Sequence, residues 1–262
     1  MQANIEENNS ILVNNASVTY RNGHTALKNV TFRIPQKSIS ALIGINGSGK
    51  STLFKVIMGF IPLKTGKITI LGKSIKTALH KKLIAYVPQA EEVDWSFPLL
   101  VEDLIMMGRY GHMGIMRIPR FQDHQAVKAA LSRIHMTHLR KRQIGELSGG
   151  QKKRIFLARA LVQNSPIILL DEPFTGIDLK TENQIISLLR ELRDEGKIII
   201  VSTHNLFSIP TFCDQSILLK ETILAYGSTK KIFTQENLEK TFGGTLPYFG
   251  TSQNNQNIVS SH

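Results

Sequence analysis

The sequence predicts an α/β protein built around a parallel sheet, and three observations carry that prediction. Short apolar runs alternate along the chain with longer segments of helical character. Three of the runs, Ile39-Ser-Ala-Leu-Ile43, Ile167-Ile-Leu-Leu170 and Ile198-Ile-Ile-Val-Ser202, are apolar almost throughout, as strands covered on both faces must be. The first leads straight into Gly44-Ile-Asn-Gly-Ser-Gly-Lys50-Ser51, a glycine-rich loop that opens a helical segment, Ser51 to Met58.

Taken in order, residues 1–10 are polar and expected to form a frayed tail, as are 246–262. Ile11 to Pro35 alternates apolar and polar residues around Arg21-Asn-Gly23, the pattern of antiparallel strands joined by a turn. Gly66–Leu71 and Ile84–Val87 read as further strands. From Val101 to Ala160 the period is helical, interrupted by a stretch at 108–119 that contains Gly, Met and Pro. The last two buried strands flank a helix near Thr181–Asp194. The chain 1–262 is therefore expected to be one domain. Residues 11–89 and 161–245 would form an α/β P-loop core with an N-terminal antiparallel β subdomain, and 90–160 an inserted α-helical subdomain.

Composition narrows the function classes. Hydrophobic residues at 42% and charged residues at 20% describe a globular protein, and 262 residues can bury a core. The apolar runs fall far short of the ~20 residues that span a bilayer. Met1-Gln-Ala-Asn-Ile-Glu-Glu7 lacks the basic start and apolar centre of a signal peptide, so a cytoplasmic place is expected. A single cysteine, Cys213, excludes an internal disulfide and is expected to be a buried small hydrophobe. The net charge of +12 permits a nucleic-acid partner. The basic residues are spread out, however, and no helix-turn-helix, zinc-finger or RNP-like motif accompanies them, so none is expected. A solvated face, or a surface near anionic headgroups, accounts for the charge. His135 and His138, three apart on an expected helix, make half a metal site at most, and a solvated pair is the ordinary reading.

The motifs carry the chemistry. Glycines at 44, 47 and 49 let successive backbone N–H groups turn inward around a di- or triphosphate. Lys50 can reach the terminal phosphates, the Ser51 hydroxyl can ligate Mg2+, and the helix N-terminus adds partial positive charge. Gly44, Ile45, Asn46, Gly47, Ser48, Gly49, Lys50, Ser51 and the adjoining Thr52 are the candidate nucleotide-binding residues. The strand at 167–170 ends in Asp171-Glu172, and a parallel strand delivers its carboxyl end to the ligand crevice. There Asp171 can hold Mg2+ and Glu172 can polarise an attacking water. A strand followed by an acidic helix cap is the alternative, which the upstream Lys50 and Ser51 disfavour. Leu147-Ser-Gly-Gly-Gln151 precedes a helix and offers a second anion site, or simply a serine N-cap with a flexible lead-in.

In that order, Gly44–Ser51, Leu147–Gln151 and Asp171–Glu172 resemble the nucleotide-binding subunits of ABC (ATP-binding cassette) transporters, from about Ile11 to Gly244. The Ser-Gly-Gly-Gln signature separates that family from other P-loop NTPases. The resemblance implies ATP and Mg2+ as cofactors and assigns further roles. Tyr20 matches the aromatic residue that stacks on adenine. Gln89 matches the glutamine that senses Mg2+ and the attacking water and links the core to the helical subdomain. His204 matches the switch histidine that contacts the γ-phosphate and orients Glu172, and Asp178 the loop aspartate at the dimer interface. Glu172, His204 and Gln89 are then the catalytic set, and Ser51, Gln89 and Asp171 the Mg2+ set. Two positions depart from the family pattern: Asn205 stands where an acidic residue is common, and Gly176-Ile177 where Ala-Leu is common. Neither touches the phosphate chemistry.

Such subunits meet head to tail, each ATP lying between the phosphate loop of one copy and the Leu147–Gln151 signature of the other. A second copy of the chain is thus the expected partner. A single cassette without a membrane span implies separate integral membrane permease subunits, a substrate-binding protein engaged indirectly, and a peripheral place on the cytoplasmic face of the cell membrane. The stretch 90–114, with Trp95, Phe97 and several methionines, falls where importers receive the permease, although a subdomain core would use the same residues. Its wording, with Phe212-Cys-Asp214 and Ile223–Gly227, resembles bacterial manganese/iron import ATPases, with zinc importers as close relatives. An ATP-hydrolysing subunit of a manganese or iron importer is the expectation. The alternatives are a zinc importer, a soluble cassette ATPase acting on nucleic acid or ribosomes, and a non-hydrolysing regulatory cassette.

Overall fold

The computed structural model describes residues 10–89 and 95–244, so the expectations for the outermost tails and for residues 90–94 fall outside it. Ser10, assigned above to the polar tail, is buried, and its carbonyl accepts the Leu71 N–H at 2.9 Å. In chain order the first elements are β1 (Ile11–Thr19), β2 (Thr25–Ile34), β3 (Ser38–Ile43), α1 (Lys50–Ile57), β4 (Thr65–Ile70), β5 (Lys73–Ser74), α2 (Ile75–His80) and β6 (Ile84–Val87). The helical insertion contributes α3 (Val101–Met107), α4 (Phe121–Arg133) and α5 (Gly149–Leu161). Then come β7 (Ile167–Asp171), α6 (Leu179–Asp194), β8 (Ile198–Thr203), α7 (Ile209–Phe212), β9 (Gln215–Lys220), β10 (Thr222–Ser228), α8 (Thr229–Ile232) and α9 (Gln235–Phe242).

Two sheets result. β1, β2, β4 and β5 form an antiparallel sheet ordered β2-β1-β4-β5, and the larger sheet runs β10-β9-β3-β8-β7-β6. In the larger sheet β9, β3, β8, β7 and β6 are parallel, and β10 closes one edge antiparallel to β9. The continuous apolar runs follow from this placement. Alternate side chains of one strand join different cores: Ile39, Ala41 and Ile43 pack with α3, α5 and α6, whereas Leu42 packs with Phe54 and Ile57 of α1 and with the β1–β2 sheet. Ile168, Leu170, Ile199 and Val201 repeat the first choice, and Ile167, Leu169, Ile198 and Ile200 the second. A strand with apolar layers on both sides has no solvent face on which to place polar residues.

The insertion is held to the core by apolar packing and by ion pairs from Arg133 of α4 to Glu195 and Glu191, at 2.7 and 3.6 Å, while an ion pair between Arg109 and Asp123 ties its own helices together. Arg109, just past α3, donates from Nε to Asp123 of α4 at 2.8 Å and from Nη1 to the Val162 carbonyl beyond α5 at 2.9 Å. Asp123 also accepts the Arg120 N–H at 2.9 Å, closing the first turn of α4. That backbone hydrogen bond, with the Arg109 guanidinium, holds the Asp123 carboxyl below its usual range despite burial. Trp95 belongs to this layer: its ring meets Phe156 edge-on at 5.1 Å, while the Lys152 ammonium lies 4.8 Å over its face. Met106 is buried as well, whereas Phe97 is exposed.

Two expectations need correction. His135 and His138 do not share a helix, because α4 ends at Arg133; His135 adopts a left-handed φ of 55° and His138 lies in a separate 3-10 turn, Thr137–Leu139. Both are exposed. Among the described residues after His204 lie α7, β9, β10, α8 and α9, which local pattern did not reveal; β9 pairs with β3 and carries the buried Ile217, Leu218 and Leu219. Cys213 is buried, and burial pushes its thiol well above the ordinary value, so it is an inert part of the core. Among the described residues no helix is long and apolar enough to cross a membrane.

Because Leu42 is wholly buried at the centre of the sheet, Leu42→Ala is expected to lower the unfolding free energy by about 3 kcal/mol. Urea unfolding, with the slope unchanged and the midpoint lowered, checks it.

Candidate nucleotide site

β3 stops at Ile43, and the chain needs three glycines to turn from its end into α1. A side chain on Gly44 would run into Ser48 and the Leu219 carbonyl. Gly49, at φ +103°, would bring a Cβ within 2.6 Å of the Ala26 carbonyl oxygen. Gly47, at φ +82°, has open space around it, so its requirement is conformational only. Ile45 is half-buried and accepts the Ser48 N–H at 3.1 Å, Ser48 is buried, and Asn46 is exposed. No side chain caps α1, and its first turn holds no acidic residue, so its N-terminal N–H groups and partial positive charge face the cleft uncompensated.

Lys50 is buried and donates from Nζ to the carbonyls of Gly44 at 2.7 Å and Ile45 at 3.1 Å. Burial pushes the ammonium below the ordinary lysine value, and the carboxylates of Glu172 and Asp171 pull it back up. Lys50, Ser51, Thr52, Asn46, Gly47 and Gly49 line an open cleft of about 420 Å³ that also takes in Tyr20, His24, Gln89, Asp171, Glu172 and His204. Five separate parts of the sequence thus meet at one place. Tyr20 stands at one end, hydrogen-bonded through its hydroxyl to Thr52 at 2.9 Å, its ring stacked on that of His24.

The adjacent carboxylates diverge for a backbone reason. Asp171 continues β7, and its Oδ1 accepts a short hydrogen bond from the Ser202 hydroxyl, while Oδ2 accepts from Tyr86 at 3.3 Å. Glu172 turns into the left-handed region at φ 49°, uncommon for a residue with a side chain. Its N–H is held by Ser202, at 3.2 Å from both the carbonyl and the hydroxyl oxygen. Its Oε2 accepts from Thr175 at 3.3 Å and lies 2.9 Å from Nδ1 of His204, whose ring is half-exposed at the cleft mouth. Ser202, Thr175 and Tyr86 are residues that sequence reasoning missed. Ser202 and Thr203 precede His204, and two hydroxyls at a strand end were the only local signal.

The second anion motif lies elsewhere. None of Leu147–Gln151, nor Asp178, lines the cleft. Ser148 caps α5, accepting the Gln151 N–H at 3.3 Å, while Gln151 Oε1 accepts the Ser148 N–H at 2.9 Å. Leu147 is buried, but Ser148 and Gly149 are exposed. A Cβ on Gly149 would lie 3.7 Å from the Gly176 carbonyl, and one on Gly150 3.1 Å from Thr181, so the motif abuts the Thr175–Asp178 turn. Asp178 caps α6, accepting the Thr181 N–H at 2.8 Å.

Residues 27–175 match the family model described as ABC transporter. The chain is 58% identical over 243 residues to the manganese transport system ATP-binding protein MntA of Synechocystis sp., covering 93% of each chain. It is 57% identical over 242 residues to the chelated iron transport system membrane protein YfeB of Yersinia pestis, covering 92% of this chain and 82% of that one. Among solved structures, an ABC transporter of the metal-chelate type in an inward-facing conformation superposes with a TM-score of 0.80 at 31% identity, over 90% of this chain and 89% of that chain. With these matches, the chain belongs to the ABC transporter family as an ATPase subunit.

Proposed function

We propose that the protein powers the import of manganese or iron, hydrolysing ATP in the cleft between α1 and the ends of β7 and β8. The observation that carries the catalytic part is the convergence of Lys50, Asp171, Glu172 and His204 on the uncapped start of α1. Lys50 and the loop N–H groups of 44–51 hold the β- and γ-phosphates, and Tyr20 takes the adenine. The Ser51 hydroxyl, Gln89 amide and Asp171 carboxylate are hard oxygen donors of the kind Mg2+ selects, so the residues fit that ion. When bound, Mg2+ supplies charge neutralisation at the β- and γ-phosphate oxygens.

Glu172 acts as general base. Its carboxylate accepts a proton from water as the water oxygen bonds to the γ-phosphorus and the bond to the β–γ bridging oxygen breaks, releasing ADP and phosphate. The hydrogen bonds to Thr175 and His204 aim one carboxylate oxygen, leaving the other for the water. Because Leu147–Gln151 lie outside the cleft of their own chain, an ATP that touches both motifs must lie between two copies. ATP then closes a head-to-tail dimer, and loss of the γ-phosphate opens it. Exposed Phe97, Ile115, Met116, Ile118 and Phe121 offer apolar surface to integral membrane permease subunits, which would place the protein peripherally on the cytoplasmic face, with a substrate-binding protein engaged only indirectly. The manganese and iron names of relatives at 58% and 57% identity support the substrate class.

Glu172→Gln is expected to lower ATP turnover roughly 10²- to 10⁴-fold while nucleotide binding persists. Phosphate release and fluorescent-nucleotide titration measure the two separately, and wild-type turnover in the variant would remove Glu172 from the base role. The same variant is expected to become dimeric in saturating ATP and to revert on ATP removal, read by light scattering. In cells, uptake of radiolabelled Mn2+ or Fe2+ should depend on wild-type Glu172. Uptake of Zn2+ alone would replace the manganese and iron assignment with zinc.

A further inference from the structure

Glu172 is held at its N–H, its carbonyl and one carboxylate oxygen, and one of the holds comes from an unexpected direction. Its N–H is bound by Ser202 of β8 and its carboxylate by Thr175 and His204, all belonging to the nucleotide-binding core. Its carbonyl oxygen accepts from Nζ of Lys153 at 3.0 Å and, at the longer distance of 3.4 Å, from the Thr175 N–H. Lys153 sits in α5, five residues after Ser148, the cap of the same helix. A helix rises about 1.5 Å per residue, so only about 7 Å of rigid backbone separates the signature from this contact.

The left-handed φ of Glu172 makes that carbonyl contact consequential. The conformation is sparsely populated for a residue with a side chain and persists only while its surroundings enforce it. Without Lys153 only the longer Thr175 N–H bond restrains that carbonyl, so the peptide plane after Glu172 turns more freely and the aim of the carboxylate loosens. The helix that reaches it is well anchored: Ile155, Phe156, Leu157, Ala158 and Ala160 are buried on its inner side, so a shift at its start moves Lys153 with it rather than being absorbed locally.

We propose that Lys153 is a positioning residue that couples the signature of a chain to that chain's own catalytic glutamate. Nucleotide at the partner's cleft bears on Ser148–Gln151, and the anchored α5 transmits that load to the contact already formed between the Lys153 ammonium and the Glu172 carbonyl. Each ATP thereby primes hydrolysis of the other. The proposal rests on the head-to-tail dimer and on Glu172 as base.

The test is ATP turnover of the purified full chain as wild type, Lys153→Met and Lys153→Arg. Lys153→Met is expected to lower kcat about tenfold, the scale of one lost charged hydrogen bond, with KM for ATP little changed and the Hill coefficient falling toward 1. Lys153→Arg, which keeps charge and reach, is expected to restore most of kcat. Mixed dimers holding a single functional Glu172 separate coupling from general damage: Lys153→Met on the chain carrying that glutamate should slow turnover, and on the other chain should not. Equal effects from either chain, or wild-type kcat and Hill coefficient in Lys153→Met, would overturn the proposal. Should Glu172→Gln alone turn over as wild type does, the base assignment falls and the coupling falls with it. If Lys153→Met does not fold, Lys153→Gln takes its place in the same comparisons: a lowered kcat that Lys153→Arg restores supports the proposal, and wild-type kcat and Hill coefficient in Lys153→Gln overturn it.

Discussion

The register of three parallel strands is the constraint on which the cleft depends. Leu42 pairs with Ser202 and Ile43 with Thr203, while Asp171 pairs with Ser202 from the other side. β3, β8 and β7 therefore end at one level. The residues that follow, Gly44 on one strand, Glu172 on the next and His204 between them, enter the same space because their strands cannot slide. Sliding is prevented by burial on both faces: a one-residue slip would exchange the two core faces of a strand, and with them every side chain packed on α1 or on α5 and α6.

Within that frame the electrostatics are closely balanced. A buried ammonium and two buried carboxylates share the floor of the cleft. Lys50 is turned onto loop carbonyls, and the Asp171 carboxylate is met by two hydroxyls rather than by a full countercharge. The aspartate and the glutamate differ in role because they differ in backbone. Asp171 completes a strand and stays in the extended region, whereas Glu172 leaves it with a positive φ that turns its side chain toward Thr175 and His204. Ser202 serves both, donating to one carboxylate and binding the other residue's N–H.

The insertion shows how the same physics serves a movable part. It is tied to the core by apolar packing along α5, by the Arg109 hydrogen bond to the Val162 carbonyl and by the Arg133–Glu195 pair, and its signature end remains exposed beside the Thr175–Asp178 turn. The Ser148 capping box and the Asp178 cap are complete within one chain, so both helix starts are stable without a partner. What they lack inside the chain is access to its own cleft, and this directs them outward.

Much of this was legible in the residues alone. Continuous apolar runs announced doubly covered strands, the glycine spacing announced the phosphate loop, and alternation around Arg21–Gly23 announced the first hairpin, because each of these is dictated by neighbours within a few residues. The ordinary readings of Ser148 as an N-cap and Trp95 as a core residue both describe contacts the chain makes. β9 was not legible, since its place beside β3 depends on partners far away in sequence. Nor were the hydroxyls of Ser202 and Thr175, the arrival of Lys153 at the Glu172 carbonyl, or the separation of His135 from His138. Local pattern determined which elements form and which residues can do chemistry. Tertiary structure decided which of those residues meet, because strand register and helix packing join segments that share no local signal.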